Sequence, residues 1–119
     1  MAYGKGGFGG GNMQNLMRQA QKMQEQMQQA EKELEETEVV GIAGANEAVV
    51  VYMNGKKIID GVEFGDNISE LVDLSDPDDV EMLEDLIMAA INDGYKKADV
   101  IYEQKMGPFG GLGGAGGLF

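Results

Sequence analysis

The chain contains no cysteine and no histidine, and only two prolines among 119 residues. Without cysteine there is no disulfide framework and no thiol nucleophile, and without both residues no zinc-finger ligand set. The lack of histidine also removes the commonest general base. The remaining carboxylates, lysines and tyrosines show no convergent catalytic pattern. The sequence therefore predicts a non-enzymatic protein.

Long apolar runs are absent as well. No segment approaches the roughly 18 apolar residues that a bilayer-spanning helix needs. The first residues contain one lysine and scattered glycines, unlike the apolar stretch of a secretory signal. We expect a soluble cytoplasmic protein with no membrane partner and no small-molecule substrate.

Glycine is concentrated at the two ends of the chain. Six of the 19 glycines lie in residues 4–11, and seven lie in residues 107–117. Such segments bury too little apolar surface to offset the entropy of ordering them. We therefore predict flexible tails over 1–11 and 107–119 around a single domain over 12–106. A domain of this size has a limited core, which favours oligomerisation.

Positive charge is scarce. Nine Lys and Arg stand against 21 Asp and Glu, for a formal net charge of −12. Residues 1–24 are the exception, because they contain Lys5, Arg18 and Lys22 and no acidic residue. An acidic protein is repelled by phosphate unless its few cations converge. The overall charge is thus the main argument against nucleic-acid binding.

The segment from Asn12 to about Glu38 predicts a long helix. It lacks glycine and proline and is rich in Gln, Met, Glu and Lys, which favour helix. Its apolar residues recur at alternating intervals of three and four, the a/d pattern of a coiled coil. They are Met13, Leu16, Ala20, Met23, Met27, Ala30 and Leu34. This seam would pack against the second helix of the chain or against a partner's copy.

Beyond Thr37 the apolar period changes to two, which is typical of strands. Strands are predicted over 38–43, 48–53 and 56–64. The second of these is apolar on both faces, so we expect it at the centre of an antiparallel meander, covered on both sides.

The connections between these elements contain further signals of local structure. Asn54-Gly55 predicts a type I′ hairpin turn, because both central positions of that turn favour a positive φ. Gly61 is a candidate bulge in the third strand. Residues 65–75 predict a structured connector, which could be a short helix, an added strand or a loop on the core.

A second long helix is predicted from Pro77 to about Lys105. Asp76 suits the N-cap, and Pro77 suits the first helical position. Gly107-Pro108 would end the helix. The fold class is therefore α+β, in the order α-β-β-β-α.

The second helix also carries a seam, formed by Leu83, Ile87, Ala90, Gly94, Ala98, Ile101 and Lys105. Glycine inside a helix is unfavourable, so Gly94 indicates a close backbone approach. From the two helices together, the candidate residues of a dimer or helix–helix seam are Leu16, Met23, Met27, Leu34, Leu83, Ile87 and Ala90.

Residues 81–93 read Glu-Met-Leu-Glu-Asp-Leu-Ile-Met-Ala-Ala-Ile-Asn-Asp, and they follow a hairpin with the sequence Met53-Asn-Gly-Lys56. These two segments resemble the second long helix and the hairpin of the YbaB/EbfC family of small bacterial nucleoid-associated proteins. Residues 19–24 are similar to its Met/Gln-rich first helix, and residues 40–44 to its first strand and turn. The resemblance extends over essentially the whole chain.

The resemblance implies a tweezer-shaped homodimer whose sheets and helices form the joint while long helices project as arms. It also implies binding to duplex DNA with little or no sequence preference, a location at the nucleoid in the cytoplasm, and neither enzymatic activity nor a cofactor. Two features depart from the family pattern. Residues 58–61 are apolar and acidic where the family is usually more basic, and the connector is longer at residues 65–68.

Six cations are the candidate DNA contacts. One pair lies four residues apart on one face of the first helix, a second follows the Asn-Gly turn, and a third occupies adjacent positions of the second helix. They are Arg18, Lys22, Lys56, Lys57, Lys96 and Lys97. Each has the alternative of being a solvated surface cation.

The acidic balance supports a second hypothesis, in which the protein has lost DNA binding. It would then be an acidic coiled-coil module that binds other proteins, or a DNA mimic. The acidic run at residues 76–85 does not indicate a calcium site, because it lacks the glycine and spacing of a calcium loop. Stabilisation of a helix N-terminus explains it.

Overall fold

The computed structural model describes the backbone of residues 2–109 and the side chains of residues 12–109. The elements are helix α1 (Ala2–Glu36), strands β1 (Glu38–Ala43), β2 (Val49–Asn54) and β3 (Ile59–Phe64), helix α2 (Ile68–Leu71), helix α3 (Pro77–Met106) and a final 3₁₀ turn (Gly107–Phe109). The strands form one antiparallel sheet in the order β1-β2-β3. The predicted α-β-β-β-α architecture is confirmed, and the connector contains the short helix α2.

Helix α1 begins ten residues before the predicted start at Asn12. Each residue added to an existing helix gains a backbone hydrogen bond, so a helix can extend into a segment of poor propensity. The helix ends at Glu36, where the Thr37 hydroxyl donates to the Glu33 carbonyl at 2.6 Å. The division of the chain into tails and a 12–106 domain stays a prediction, and residues 110–119 lie outside the described residues.

Helix α3 begins as its sequence predicts. The Asp76 side chain caps it by accepting the Asp78 N–H at 2.9 Å, and Pro77 occupies the first turn. At the other end Gly107 keeps a helical φ of −54°, and the chain continues as a 3₁₀ turn whose Phe109 side chain is buried. The final turn therefore packs on the folded body.

The hairpin after β2 forms at Asn54-Gly55, but the predicted type I′ geometry is wrong. Asn54 accepts the Lys57 N–H through its carbonyl at 2.9 Å and the Lys56 N–H through Oδ1 at 2.8 Å. Lys57 takes the left-handed position, with a φ of 68°. Gly55 has a different role, because its N–H donates to the Leu34 carbonyl at 2.8 Å and a Cβ would lie 2.8 Å from that oxygen.

Because this turn is wider than a two-residue turn, the third strand begins at Ile59 and not at residue 56. Tyr52 pairs with Gly61 while Met53 pairs with Ile59, so Asp60 is the extra residue of a bulge. The irregularity lies one position from the predicted Gly61.

The core lies between one face of the sheet and α3. Its fully buried members are Val39, Val49, Val51, Met53, Ala90 and Ala98. The backbones of α3 and β1 are in direct contact where the two elements cross, because a Cβ on Gly41 would overlap the Ala90 carbonyl oxygen. A Cβ on Gly94 would overlap the end of the Met53 side chain. The close approach predicted for Gly94 is confirmed.

The prediction that β2 is covered on both faces is wrong for this protomer. Val49, Val51 and Met53 are buried, but the alternate residues Val50 and Tyr52 are only partly buried. The apolar character of the second face is therefore not explained by contacts within one chain.

Candidate nucleic-acid interface

Helix α1 extends far beyond the sheet. The molecule measures 84 × 25 × 17 Å along its principal axes. Every side chain from Asn12 to Lys22 is exposed, and the first buried side chain after Asn12 is Ala30. We call residues 12–24 the arm. Apart from the half-buried Met23, its side chains are exposed to solvent.

Arg18 and Lys22 are the cations of the arm. They lie one helical turn apart on the same face, and both are exposed. Neither forms an ion pair within the described residues. Their full charge is therefore available to an external anion.

The hairpin cations are in a different state. Lys56 pairs with Glu35 at 3.1 Å between Nζ and Oε1. Lys57 pairs with Asp99, and its ammonium lies 5.5 Å from the centroid of the Tyr95 ring. The structure thus directs both lysines towards the protein's own helices.

The cations of α3 divide into two groups. Lys97 pairs with Asp93 at 2.8 Å and donates to the Val40 carbonyl at 3.0 Å, while its neighbour Lys96 is exposed and has no ion pair among residues 12–109. Lys105, which was not among the candidates, pairs with Glu33 at 2.7 Å. The two residues of that pair are 72 positions apart, so no local pattern could have revealed it.

These pairings lower the pKa values of two carboxyl groups. The hydrogen bond from Lys97, together with one from the Ile42 N–H, lowers the pKa of Asp93. The hydrogen bond from Lys105 lowers the pKa of Glu33. Because both groups lie near the surface, the associated stabilisation is screened by solvent.

The seam candidates fall into two environments. Leu34 and Ala90 are fully buried in the protomer, and Leu83 and Ile87 pack against the core. Leu16, by contrast, is 60% exposed, and Met23 and Met27 are only partly covered. The seam is therefore internal near the sheet, and along the arm no described residue covers it.

A second uncovered surface lies beside α3, above β3. Val62 and Phe64 pair with Val51 and Val49, so they point to the same side of the sheet as the core. They remain 48% and 49% exposed because α3 packs over β1 and β2. Phe64 and Leu74 also line a groove of about 210 Å³. We call Val62, Phe64 and Leu74 the apolar trough.

Other kinds of site find little support among the described residues. No three acidic side chains in this part of the chain converge as a metal ion would require. Of the helices searched, none combines the length and apolar character required to cross a membrane.

The arrangement defines a class of small α+β protein in which a long helix leads into a three-stranded meander backed by a second long helix. A solved structure of an uncharacterized protein from Helicobacter pylori has this fold, with a TM-score of 0.60 and 25% identity over 82% of this chain and 92% of that one. A family model described as the YbaB/EbfC DNA-binding family matches residues 9–113. The chain belongs to that family.

Two bacterial relatives show the extent of the similarity. A nucleoid-associated protein of Clostridium botulinum strain Eklund 17B is 53% identical, over 96% of this chain and 94% of its own length. A nucleoid-associated protein of Agathobacter rectalis is 50% identical, over 97% of each chain.

Proposed function

We propose that this protein binds duplex DNA as a homodimer, through backbone phosphates and with little sequence preference, at the nucleoid in the cytoplasm. The observation that carries the proposal is that both cations of the arm, Arg18 and Lys22, are unpaired within the described residues, whereas three of the four candidate cations on the body, all except Lys96, are paired with carboxylates. Family membership and the names of the relatives support DNA as the partner.

The charge distribution explains how a protein of net charge −12 would bind a polyanion. Exposed charges are screened over roughly 8–10 Å at physiological ionic strength. An arm that holds its cations away from the acidic body therefore presents a locally positive surface. Contacts to phosphate position a protein on DNA without reading bases, which accounts for the proposed lack of sequence preference.

The homodimer is supported by the apolar trough. Its three side chains are large and exposed, although two of them belong to the face of the sheet that carries the core. Contiguous exposed apolar surface of this kind marks interaction sites. A second copy covering the trough would bring two arms into one particle, so that four unpaired arm cations could act together.

The test is fluorescence anisotropy of a labelled duplex of about 30 base pairs, titrated with protein at several salt concentrations. If four arm cations engage phosphates, the slope of log affinity against log salt is about −3.6. Replacing Arg18→Gln and Lys22→Gln should remove most of the binding and flatten that slope.

The matched control is Asn92→Asp/Gln104→Glu, which lowers the net charge by the same amount at two exposed positions on α3. It should bind nearly as well as the wild type. Equal loss in both variants would mean that only total charge matters. No binding to the wild type at low salt would overturn the proposal and favour the acidic protein-interaction module.

A further inference from the structure

The described part of the chain leaves the face of the sheet opposite α3 without a covering element. Val40, Ile42, Val50 and Tyr52 alternate with core residues along β1 and β2, so they share this outer face. All four are only partly buried. They line a shallow groove of about 430 Å³ that extends to the end of β3. We call it the outer sheet face.

Carboxylates surround this groove. Glu47, Glu63 and Asp66 line it, and Glu38 lies on the same face at the far end of β1. The Tyr52 hydroxyl donates to Glu63, and that hydrogen bond, together with the charges of Glu63, Glu38 and Glu47, raises the pKa of Tyr52. Within residues 12–109 no basic side chain lines the groove. The outer sheet face is thus a partly apolar surface with an acidic rim.

The charge of the rim selects the occupant. Two outer sheet faces stacked on each other would bring eight carboxylates together, and like charges in contact are unfavourable. A fitting partner must supply cations with long aliphatic stems and carry few acids. The arm has this chemistry, because Arg18 and Lys22 are exposed on one helix face and no acidic residue precedes Glu25 in the sequence. Their stems can lie on apolar side chains while the charged ends meet the rim.

We propose that the outer sheet face of one copy binds the arm of another copy, with Arg18 and Lys22 meeting Glu47 and Glu63. The contact uses the two cations proposed to bind DNA, so arm docking and DNA binding exclude each other at a given arm. The acidic face would act as a built-in competitor of the phosphate backbone. Only this competition depends on the proposed function, because the docking itself needs no DNA.

Disulfide trapping tests the contact directly, since the chain has no cysteine of its own. Asn15→Cys places a thiol on the Arg18 face of the arm, three residues away. Val50→Cys places one on the outer sheet face, in register with Glu63. An equimolar mixture of the two variants, oxidised with diamide at low salt, should yield the mixed disulfide. The control pairs Asn15→Cys with Val100→Cys, an exposed position on α3.

The acidic rim is then neutralised with Glu47→Gln/Glu63→Gln in the Val50→Cys chain. The yield of mixed disulfide should fall at least fivefold, and it should fall similarly when duplex DNA is added to the original pair. A yield no higher than that of the Val100→Cys control would overturn the proposal. So would a yield unchanged by the glutamines, or a Val50→Cys homodisulfide as the main product.

The outcomes separate this inference from the proposed function. Trapping that persists in a protein unable to bind duplex DNA would leave the arm contact standing and remove the proposed function. Salt-sensitive DNA binding without specific trapping would do the reverse.

Discussion

At the scale of single residues, two glycines set the distance between sheet and helix. Gly41 of β1 and Gly94 of α3 lie in contact, and the nitrogen of Gly94 would be 2.6 Å from a Cβ on Gly41. The obstacle is backbone, which cannot rotate away. Gly41→Ala should therefore lower stability by about 2–3 kcal/mol, seen as a drop in Tm of roughly 10 °C or more. Gly107→Ala is the control, because that site has helical φ and nothing within 4 Å of the new Cβ. Equal Tm values for the two variants would contradict this account.

The sequence revealed one member of this glycine pair and not the other. Gly94 stands out because glycine is unfavourable within a helix. Gly41 lies in a strand, where its meaning depends on which element crosses it. Similarly, Gly55 was correctly placed in a turn but for the wrong reason. Its contact with the Leu34 carbonyl is tertiary, so turn propensities could not report it.

At the scale of elements, α3 protects the free edge of β1. The Asp93 carboxylate accepts the Ile42 N–H at 2.9 Å, and Lys97 donates to the Val40 carbonyl at 3.0 Å. Backbone groups on an edge strand otherwise invite pairing with another chain. One ion pair on consecutive helical turns therefore satisfies a donor and an acceptor of the edge.

This cap predicts a pH dependence. Because the folded state lowers the pKa of Asp93, the contribution is complete above the unfolded pKa of about 3.9 and is lost as pH falls through the lower folded pKa. Asp93→Asn should cost about 1 kcal/mol at pH 7, discounted for solvent exposure. The difference from the wild type should shrink below about pH 4. Urea unfolding at pH 7 and pH 3 measures this change, and a constant difference would argue against the charged cap.

Helix and strand periodicity predicted the elements well, because each pattern is local. The existence and order of helix α1 and the strands follow from spacing, although α1 begins at Ala2 and the third strand at Ile59, and the start of α3 follows from Asp76 and Pro77.

The candidate interface was less accessible to such reasoning. Whether a lysine is free or paired depends on contacts such as Lys57 with Asp99, formed by residues from separate elements. Lys56 and Lys57 are paired for this reason, whereas Lys97 pairs with Asp93 one turn away on the same helix.

At the scale of the whole molecule, the apolar trough is where assembly can be tested. Phe64→Asp adds a charge to a surface that a second copy would bury, so the variant should sediment as a monomer while the wild type sediments as a dimer. Val100→Asp, exposed on α3, is the matched control and should stay dimeric. The monomer should also bind duplex DNA at least about tenfold more weakly, because it loses the avidity of two arms. A dimeric Phe64→Asp variant would move the joint elsewhere.

The length of the arm also affects how much of a bound DNA duplex such a protein would cover. With both arm cations unpaired among the described residues and three of the four candidate cations on the body already paired, the particle would touch DNA through the arm, while electrostatic repulsion would hold the acidic body off the duplex. Its footprint in nuclease protection would then be far shorter than the 84 Å of one protomer. The base edges between the contact points would stay accessible to polymerases and repressors. The protein could therefore bind a chromosome at high density and still leave its bases accessible to other proteins.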